Sequence, residues 1–204
     1  MKRPPDHASD PVSSTSLFNI ANGLTFLRLL AVPVVGYLLF VDTYQARNLA
    51  ALVFLLASLT DVLDGFVARR YGLITNFGKI ADPIADKFLT GVALVGLSAL
   101  GLLPWWISIV IIAREVIVTI IRFWVIEHGV ISASRGGKAK TLTQTIAITM
   151  YLVAIPETSS LASTWDLVRA LVMGIAVILT VVTAIYYFQQ AISLRRLTRS
   201  GGGE

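Results

Sequence analysis

The sequence predicts an all-α integral membrane protein with six transmembrane helices. Apolar residues make up 55% of its 204 residues and charged residues only 14%, whereas soluble domains carry about 25% charged residues. A membrane-spanning helix needs about 20 mostly apolar residues, and the chain contains six stretches of about that length. Six spans use nearly the whole chain, so no separate soluble domain is expected.

The apolar stretches set the predicted boundaries. They predict spans over residues 24–42, 47–71, 79–101, 104–128, 138–157 and 166–194. The shorter stretch from Ser16 to Ala21 predicts an amphipathic helix that lies along the membrane interface before the first span. Residues 1–15 are polar and lack the apolar run of a signal peptide, so we expect a disordered tail. The glycine-rich end, 196–204, predicts a second flexible tail, which leaves 16–195 as one transmembrane domain.

Basic residues alternate between the two sides of the predicted membrane. The first connection carries only Arg47, and the third and fifth connections carry no basic residue before the next span. The termini and the second and fourth connections hold most of the others: Lys2, Arg3, Arg69, Arg70, Lys79, Arg135, Lys138, Lys140, Arg195, Arg196 and Arg199. The positive-inside rule therefore puts both termini in the cytoplasm, in a multi-pass protein of the cell membrane. The net charge of +5 reflects this orientation, and no nucleic-acid partner is expected.

Four aspartates interrupt the second and third spans. They occur as Asp61-x-x-Asp64-Gly65-x-x-Ala68-Arg69 and as Gly78-x-x-x-Asp82-x-x-x-Asp86. A carboxylate inside a membrane helix costs about 2.5–3.5 kcal/mol, so the group needs compensation. Spacings of three and four put each pair on one helix face. The helix rise puts both pairs at similar depths below the cytoplasmic surface, so the four carboxylates are predicted to converge there.

A cluster of four carboxylates has the chemistry of a divalent-cation site. Hard oxygen ligands favour Mg²⁺, Mn²⁺ or Ca²⁺, and two such ions neutralise four charges and suit phosphoryl displacement. Gly65 and Gly78 leave room for a ligand to approach closely, and Arg69 can hold a phosphate through paired donors. Two other interpretations stay open on spacing alone. One is the ion site of a cation transporter, and the other is a set of structural ion pairs with Arg28, Lys87, Arg114 and Arg122.

The same run of residues resembles a known family. Residues 61–86 match, without a gap, the signature D-x2-D-G-x2-A-R-x8-G-x3-D-x3-D of the CDP-alcohol phosphotransferases. Residues 19–28, 112–116 and 137–141 resemble the branch of this family whose acceptor is sn-glycerol 3-phosphate. The resemblance covers roughly residues 17–195. Ala21 departs from it, because relatives often have proline there, which affects the start of the helix more than the chemistry.

The resemblance implies six transmembrane helices, usually in a homodimer, and a site for two Mg²⁺ or Mn²⁺ ions open to the cytoplasm. It implies CDP-diacylglycerol as the lipid substrate and glycerol 3-phosphate as the acceptor, with inositol phosphate or phosphatidylglycerol as alternative acceptors. The implied metal ligands are Asp61, Asp64, Asp82 and Asp86, and Asp86 is also the implied general base. The implied contacts to CDP-diacylglycerol are Asn22, Thr25, Gly65, Arg69, Thr75 and Gly78.

The acceptor carries a dianionic phosphate, so its pocket should be basic. Arg114 and Arg122 lie in an apolar span, where an unpaired charge is costly, and Lys138 and Lys140 open the next span. We expect these four residues, together with Arg28, to supply the phosphate contacts. The alternatives are that Arg114 pairs locally, that the lysines are ordinary membrane anchors, and that Arg28 serves the carboxylates instead.

Overall fold

The protein is described by a computed structural model that covers the backbone of residues 20–71, 76–125 and 135–200. Side chains are described for residues 23, 25–60, 84–121 and 136–193. The predicted N-terminal tail, most of the predicted interfacial stretch and the end of the C-terminal tail lie outside the described residues. Ile20 and Ala21, which the sequence predicts in the interfacial stretch, belong to the first long helix, so that prediction is wrong for these two residues.

Within these ranges the chain forms six helices and no strand. They are α1 (Ile20–Val41), α2 (Tyr44–Tyr71), α3 (Asn76–Ala99), α4 (Trp105–Val125), α5 (Arg135–Leu152) and α6 (Ala162–Ser200). Each predicted span overlaps one of these helices, so the all-α prediction is confirmed. Helix α6 continues to Ser200 rather than ending at 194, so residues 196–200 of the predicted tail are helical.

Local interactions explain two boundaries that differ from the prediction. Helix α2 begins at Tyr44 because Asp42 adopts a left-handed conformation, with φ 45°, and ends α1 sharply. The Thr43 hydroxyl then accepts a hydrogen bond from the Ala46 amide at 3.2 Å and caps α2. Helix α5 ends at Leu152 rather than at 157, because the Ala154 amide bonds to Asn48 Oδ1 instead of to the helix backbone. Pro156 then disfavours a helical conformation at Ile155.

Neighbouring helices run in alternating directions. Arg28 on α1 contacts Ala57 on α2, so the start of α1 lies beside the last part of α2. A Cβ atom at Gly36 would lie 3.2 Å from Val92, and one at Gly96 would lie 2.5 Å from Leu39 Cδ1, so α1 and α3 are parallel. We call the end of the bundle where α1, α3 and α5 begin the signature end, because α2 carries the signature aspartates to it.

At the opposite end of the bundle, three hydrogen bonds hold α2 against the end of α5. The Tyr44 hydroxyl donates to the Ile155 carbonyl at 2.6 Å. Arg47 Nη2 donates to the carbonyl of Tyr151 at 3.2 Å. Asn48 Oδ1 accepts a hydrogen bond from the Ala154 amide at 2.9 Å. These side chains satisfy backbone groups that the end of a helix leaves without intrahelical partners.

The bundle has an apolar core and an apolar exterior. All six helices contribute to one core cluster, including Val35, Phe54, Leu94, Ile111 and Met173. Large apolar side chains are also exposed on every helix: Phe40, Leu52, Phe88, Ile120, Leu142 and Ile178. Among the described residues, one stretch, Ala162–Ser193, is long and apolar enough by itself to cross a membrane. Apolar surface of this extent is typical of a protein that contacts lipid or a partner.

Candidate active site

The backbone brings the signature residues to one end of two contacting helices. Helix α2 carries Asp61 and Asp64 near its end, α3 carries Asp82 and Asp86 near its beginning, and the two helices are in contact. Of the four aspartates, only Asp86 has a described side chain, and it is partly buried. Among the residues whose side chains are described, no three carboxylates or histidines form a metal cluster. The helix register places carboxylate residues of both helices at the signature end, as a divalent-cation site requires.

Two polar residues of α1 lie at the depth of these aspartates. Thr25 and Arg28 are buried, and the Arg28 side chain has no exposed surface. Arg28 Nε donates to the carbonyl of Ala57 at 3.4 Å, one helical turn before Asp61. The parallel register of α1 and α3 sets Arg28 level with the α3 segment from Asp82 to Asp86. Within the described residues α1 contacts only α2 and α3, so Arg28 lies on the carboxylate side of the bundle.

The residues expected to contact the nucleotide lie at the same end. Asn22 is in the first turn of α1, Gly65 and Arg69 are in the last turns of α2, and Gly78 is in the first turn of α3. Only the backbone of these residues is described. Thr75 lies outside the described residues.

A second polar group, which we call the basic cluster, joins α4 and α5 and consists of Arg114, Glu115 and Lys140. Glu115 Oε1 accepts a hydrogen bond from Arg114 Nη1 at 3.0 Å and another from Lys140 Nζ. The Lys140 residue is only 4% exposed, so its pairing with a carboxylate offsets the cost of burying its charge. Two cations and one anion leave this cluster with a formal charge of +1.

Helix α6 supports the arginine of the basic cluster. Thr183 Oγ1 accepts a hydrogen bond from Arg114 Nη2 at 2.9 Å, and the guanidinium carbon lies 5.8 Å from the centre of the Tyr187 ring. That distance is within the range of a cation–π interaction. Arg114 Nε is buried and has no hydrogen-bond partner in the described structure. The guanidinium is held by Thr183 and Tyr187 of α6 as well as by Glu115.

The basic cluster is adjacent to the helix that carries Asp86. Lys87, the next residue of α3, donates a hydrogen bond to Thr119 Oγ1 of α4, one helical turn from Glu115. The Ser98–Ser108 contact, at 2.7 Å, gives α3 and α4 the same antiparallel register as the Lys87–Thr119 contact. This register puts Glu115 about 7.5 Å deeper along the bundle than Asp86.

The structure separates the five residues expected to bind the acceptor phosphate. Arg114 and Lys140 meet in the basic cluster, whereas Arg28 lies against α2 and Lys138 is exposed on α5. Arg122 is on α4, two turns beyond Arg114 towards the signature end, and only its backbone is described. Arg114 thus has the local ion pair of the alternative interpretation, in a geometry that still leaves Nε without a partner.

The sequence assigned no site role to Glu115 of the basic cluster, or to Thr183 and Tyr187, which support it from α6. Glu115 is a charged residue within an apolar helix, and the argument applied to the four aspartates could have identified it. Thr183 and Tyr187 carry no such signal, because a threonine and a tyrosine in a long apolar helix are common. Their role depends on the approach of α6 to α4, which only the structure reveals.

Comparison with known proteins identifies the family of the chain. The profile of the CDP-alcohol phosphatidyltransferase family matches residues 18–182. The chain therefore belongs to this family of enzymes, and the resemblance drawn from Asp61 to Asp86 is confirmed.

Among its relatives is a probable phosphatidylglycerophosphate synthase of Mycobacterium tuberculosis. It is 45% identical over 177 residues, which cover 85% of this chain and 82% of the relative. A CDP-diacylglycerol–glycerol-3-phosphate 3-phosphatidyltransferase of Rickettsia typhi is 36% identical over 84% of this chain and 96% of its own length. A protein of the same name from Bacillus subtilis is 37% identical over 67% of this chain and 78% of its own length.

Proposed function

We propose that this protein transfers the phosphatidyl group of CDP-diacylglycerol to sn-glycerol 3-phosphate, giving phosphatidylglycerol phosphate and CMP. The observation that carries this proposal is the adjacency of the signature helix and the basic cluster: Lys87, which follows Asp86 on α3, donates a hydrogen bond to Thr119 on α4, one helical turn from Glu115. A carboxylate suited to remove a proton thus lies near buried cations suited to hold a phosphate. The names of the relatives from Rickettsia and Bacillus include the same two substrates.

The proposal places all six helices across the cell membrane, with both termini and the signature end in the cytoplasm. The alternating helix directions and the apolar exterior support six crossings. The distribution of lysine and arginine supports the orientation. In this orientation a water-soluble acceptor reaches the site from the cytoplasm, and the acyl chains of the lipid remain in the bilayer.

The acidic end of α2 and α3 fits a pair of divalent cations. Asp61, Asp64, Asp82 and Asp86 would hold them, because carboxylate oxygens are the ligands that Mg²⁺ and Mn²⁺ prefer. When bound, the two cations supply positive charge beside the pyrophosphate and the departing CMP. Arg28 is buried beside this acidic end, and we assign it to the carboxylate side rather than to the acceptor.

Different residues of the chain then remove the proton and hold the nucleotide during the reaction. Asp86 accepts the proton of the acceptor hydroxyl, whose oxygen forms a bond to the phosphorus that carries the diacylglycerol. The bond between that phosphorus and the bridging oxygen breaks, and CMP leaves with the electron pair. Contacts from the signature end hold the CDP group, and they come from Asn22, Thr25, Gly65, Arg69, Thr75 and Gly78.

Basic side chains hold the acceptor by its phosphate group. Arg114 and Lys140 approach it from α4 and α5. Lys138 and Arg122 lie closer to the signature end and would attract the phosphate from the cytoplasm. The homodimer implied by the resemblance is retained as a proposal, and cross-linking in membranes would test it.

The decisive experiment measures CMP release by the purified protein in detergent or nanodiscs. The reaction contains CDP-diacylglycerol, Mg²⁺ or Mn²⁺ and one labelled acceptor: glycerol 3-phosphate, inositol phosphate or phosphatidylglycerol. We expect labelled phosphatidylglycerol phosphate with the first acceptor only, and loss of activity with EDTA that added Mg²⁺ or Mn²⁺ reverses. Product with inositol phosphate but not with glycerol 3-phosphate would overturn the choice of acceptor. No CMP release with any acceptor would overturn the proposed reaction.

A further inference from the structure

Glu115 has no role in the reaction described above, yet it makes the central contact of the basic cluster. One oxygen of its carboxylate accepts hydrogen bonds from Arg114 on its own helix and from Lys140 on α5. Its side chain is 21% exposed, compared with 11% for Arg114 and 5% for Lys140. The carboxylate is thus the most exposed member of the group, and all three side chains are largely buried.

A need for charge neutralisation alone does not explain this geometry. One carboxylate neutralises one cation, and here a single oxygen is shared by two. Two cations brought together in a low-dielectric interior repel each other strongly. The shared oxygen opposes that repulsion and fixes the direction of both donors, which Arg114 and Lys140 could not do alone because their side chains are long and flexible.

The rest of the cluster restricts the same donors. Thr183 holds Arg114 Nη2 from α6. Tyr187 on the same helix lies 5.8 Å from the guanidinium carbon and restricts it from a second side. A phosphate that enters the site meets two donors whose orientation is already set, which reduces the entropy lost on binding.

We infer that Glu115 is a positioning residue that orients Arg114 and Lys140 for the phosphate of the acceptor. The inference rests on the proposed function, because it assumes a phosphorylated acceptor. Glu115 transfers no proton in this scheme and does not touch CDP-diacylglycerol. Its removal should therefore raise the KM for glycerol 3-phosphate much more than the KM for CDP-diacylglycerol.

The test compares Glu115→Gln and Glu115→Asp with the wild-type protein in the CMP-release assay. For Glu115→Gln we expect the KM for glycerol 3-phosphate to rise about 10- to 100-fold, the range of one or two charge-assisted hydrogen bonds. We expect kcat and the KM for CDP-diacylglycerol to change less than about threefold. Glu115→Asp keeps the charge and should recover part of the loss. Glu157→Gln, which removes an exposed carboxylate beyond the end of α5, is the matched control and should behave like wild type.

Other outcomes are also informative. An unchanged acceptor KM in Glu115→Gln overturns the positioning role. Equal losses in kcat and in both KM values also overturn it, because they indicate a general structural role. If the glutamine variant does not fold, Glu115→Asp decides by the same comparison of the two KM values. Failure of the wild-type protein to use glycerol 3-phosphate contradicts the proposed function, and a normal wild type with an unaffected Glu115→Gln variant contradicts only this inference.

Discussion

Arg114 Nη2 on α4 donates a hydrogen bond to Thr183 Oγ1 on α6, across 2.9 Å. The threonine hydroxyl donates its own proton to the carbonyl of Leu179, at 2.7 Å, so its lone pairs are directed to the guanidinium. Nearly 70 residues separate Arg114 from Thr183 along the chain. The last helix of the protein is therefore part of the candidate site, although it contains none of the signature.

Thr183→Val should weaken acceptor binding. The change keeps the side-chain shape, removes the acceptor for Arg114 and leaves a buried guanidinium nitrogen without a partner. We expect a loss of about 1–3 kcal/mol in stability and a higher KM for the acceptor. Thermal unfolding in detergent and the CMP-release assay measure these two effects.

Thr180→Val is the matched control for that change, one helical turn away. Thr180 is fully buried, and its hydroxyl has no hydrogen-bond partner in the described structure. Removing a buried polar atom without a partner should leave stability unchanged or raise it by about 1 kcal/mol. A Tm for Thr180→Val as low as that of Thr183→Val would contradict the assignment of the hydrogen bonds.

Arg114→Ala should raise the KM for glycerol 3-phosphate more than the KM for CDP-diacylglycerol. Arg114→Lys retains the charge but loses the fork of donors that contacts Glu115 and Thr183 together. We therefore expect the lysine variant to recover only part of the activity. Steady-state kinetics with each substrate varied in turn distinguish the two effects. A larger change in the lipid KM would move Arg114 to the nucleotide side.

Asp86→Asn should reduce turnover severely and leave the binding of CDP-diacylglycerol intact. The amide has nearly the same size as the carboxylate, but it cannot accept the proton of the acceptor hydroxyl. We expect kcat to fall by about 100-fold or more, as is typical when a general base is lost. Lipid binding is measured separately with a fluorescent analogue in nanodiscs. Near-normal kcat in this variant would exclude Asp86 as the base.

Gly96→Ala should destabilise the contact between α1 and α3. The added methyl group would lie 2.5 Å from Leu39 Cδ1, and Leu39 is buried in the core. Overpacking of this kind costs about 1–3 kcal/mol. Gly91→Ala is the control on the same helix, because nothing lies within 4 Å of its new Cβ. The control should be neutral or gain up to about 1 kcal/mol of helix propensity, and equal Tm values would contradict the close approach of the helices.

The number and approximate positions of the helices could be predicted because their apolar stretches are long and distinct. The ends could not be predicted as well, because they depend on single interactions such as the cap at Thr43 and the bond from the Ala154 amide to Asn48. Asn48 is remote from Ala154 in sequence, so no local pattern reveals that contact. The predicted end of α6 at 194 is too early, because the apolar run ends there while the helix continues through polar residues to Ser200.

The site was predictable where its residues are close in sequence. Asp61 to Asp86 form one gapless pattern, which gave the correct family. The basic cluster brings Arg114 and Lys140 together from α4 and α5, and Thr183 supports it from α6. The charge of Arg114 and Lys140 predicts a phosphate site, but only the structure separates Lys140, which is buried in the cluster, from Lys138, which is exposed.

The hydrogen bonds of Tyr44, Arg47 and Asn48 to the end of α5 fix how far along α2 and α5 the site residues lie from this end of the bundle. Arg47 precedes Asp61 by about 21 Å of helix, and Lys140 precedes Tyr151 by about 16 Å. One residue inserted into either stretch would shift the site residues by about 1.5 Å and rotate them by about 100°. An insertion at 158–160, beyond these bonds, would change neither distance. Homologous enzymes with this architecture should therefore vary in length in that loop. They should keep constant the number of residues from Arg47 to Asp61 on α2 and from Lys140 to Tyr151 on α5.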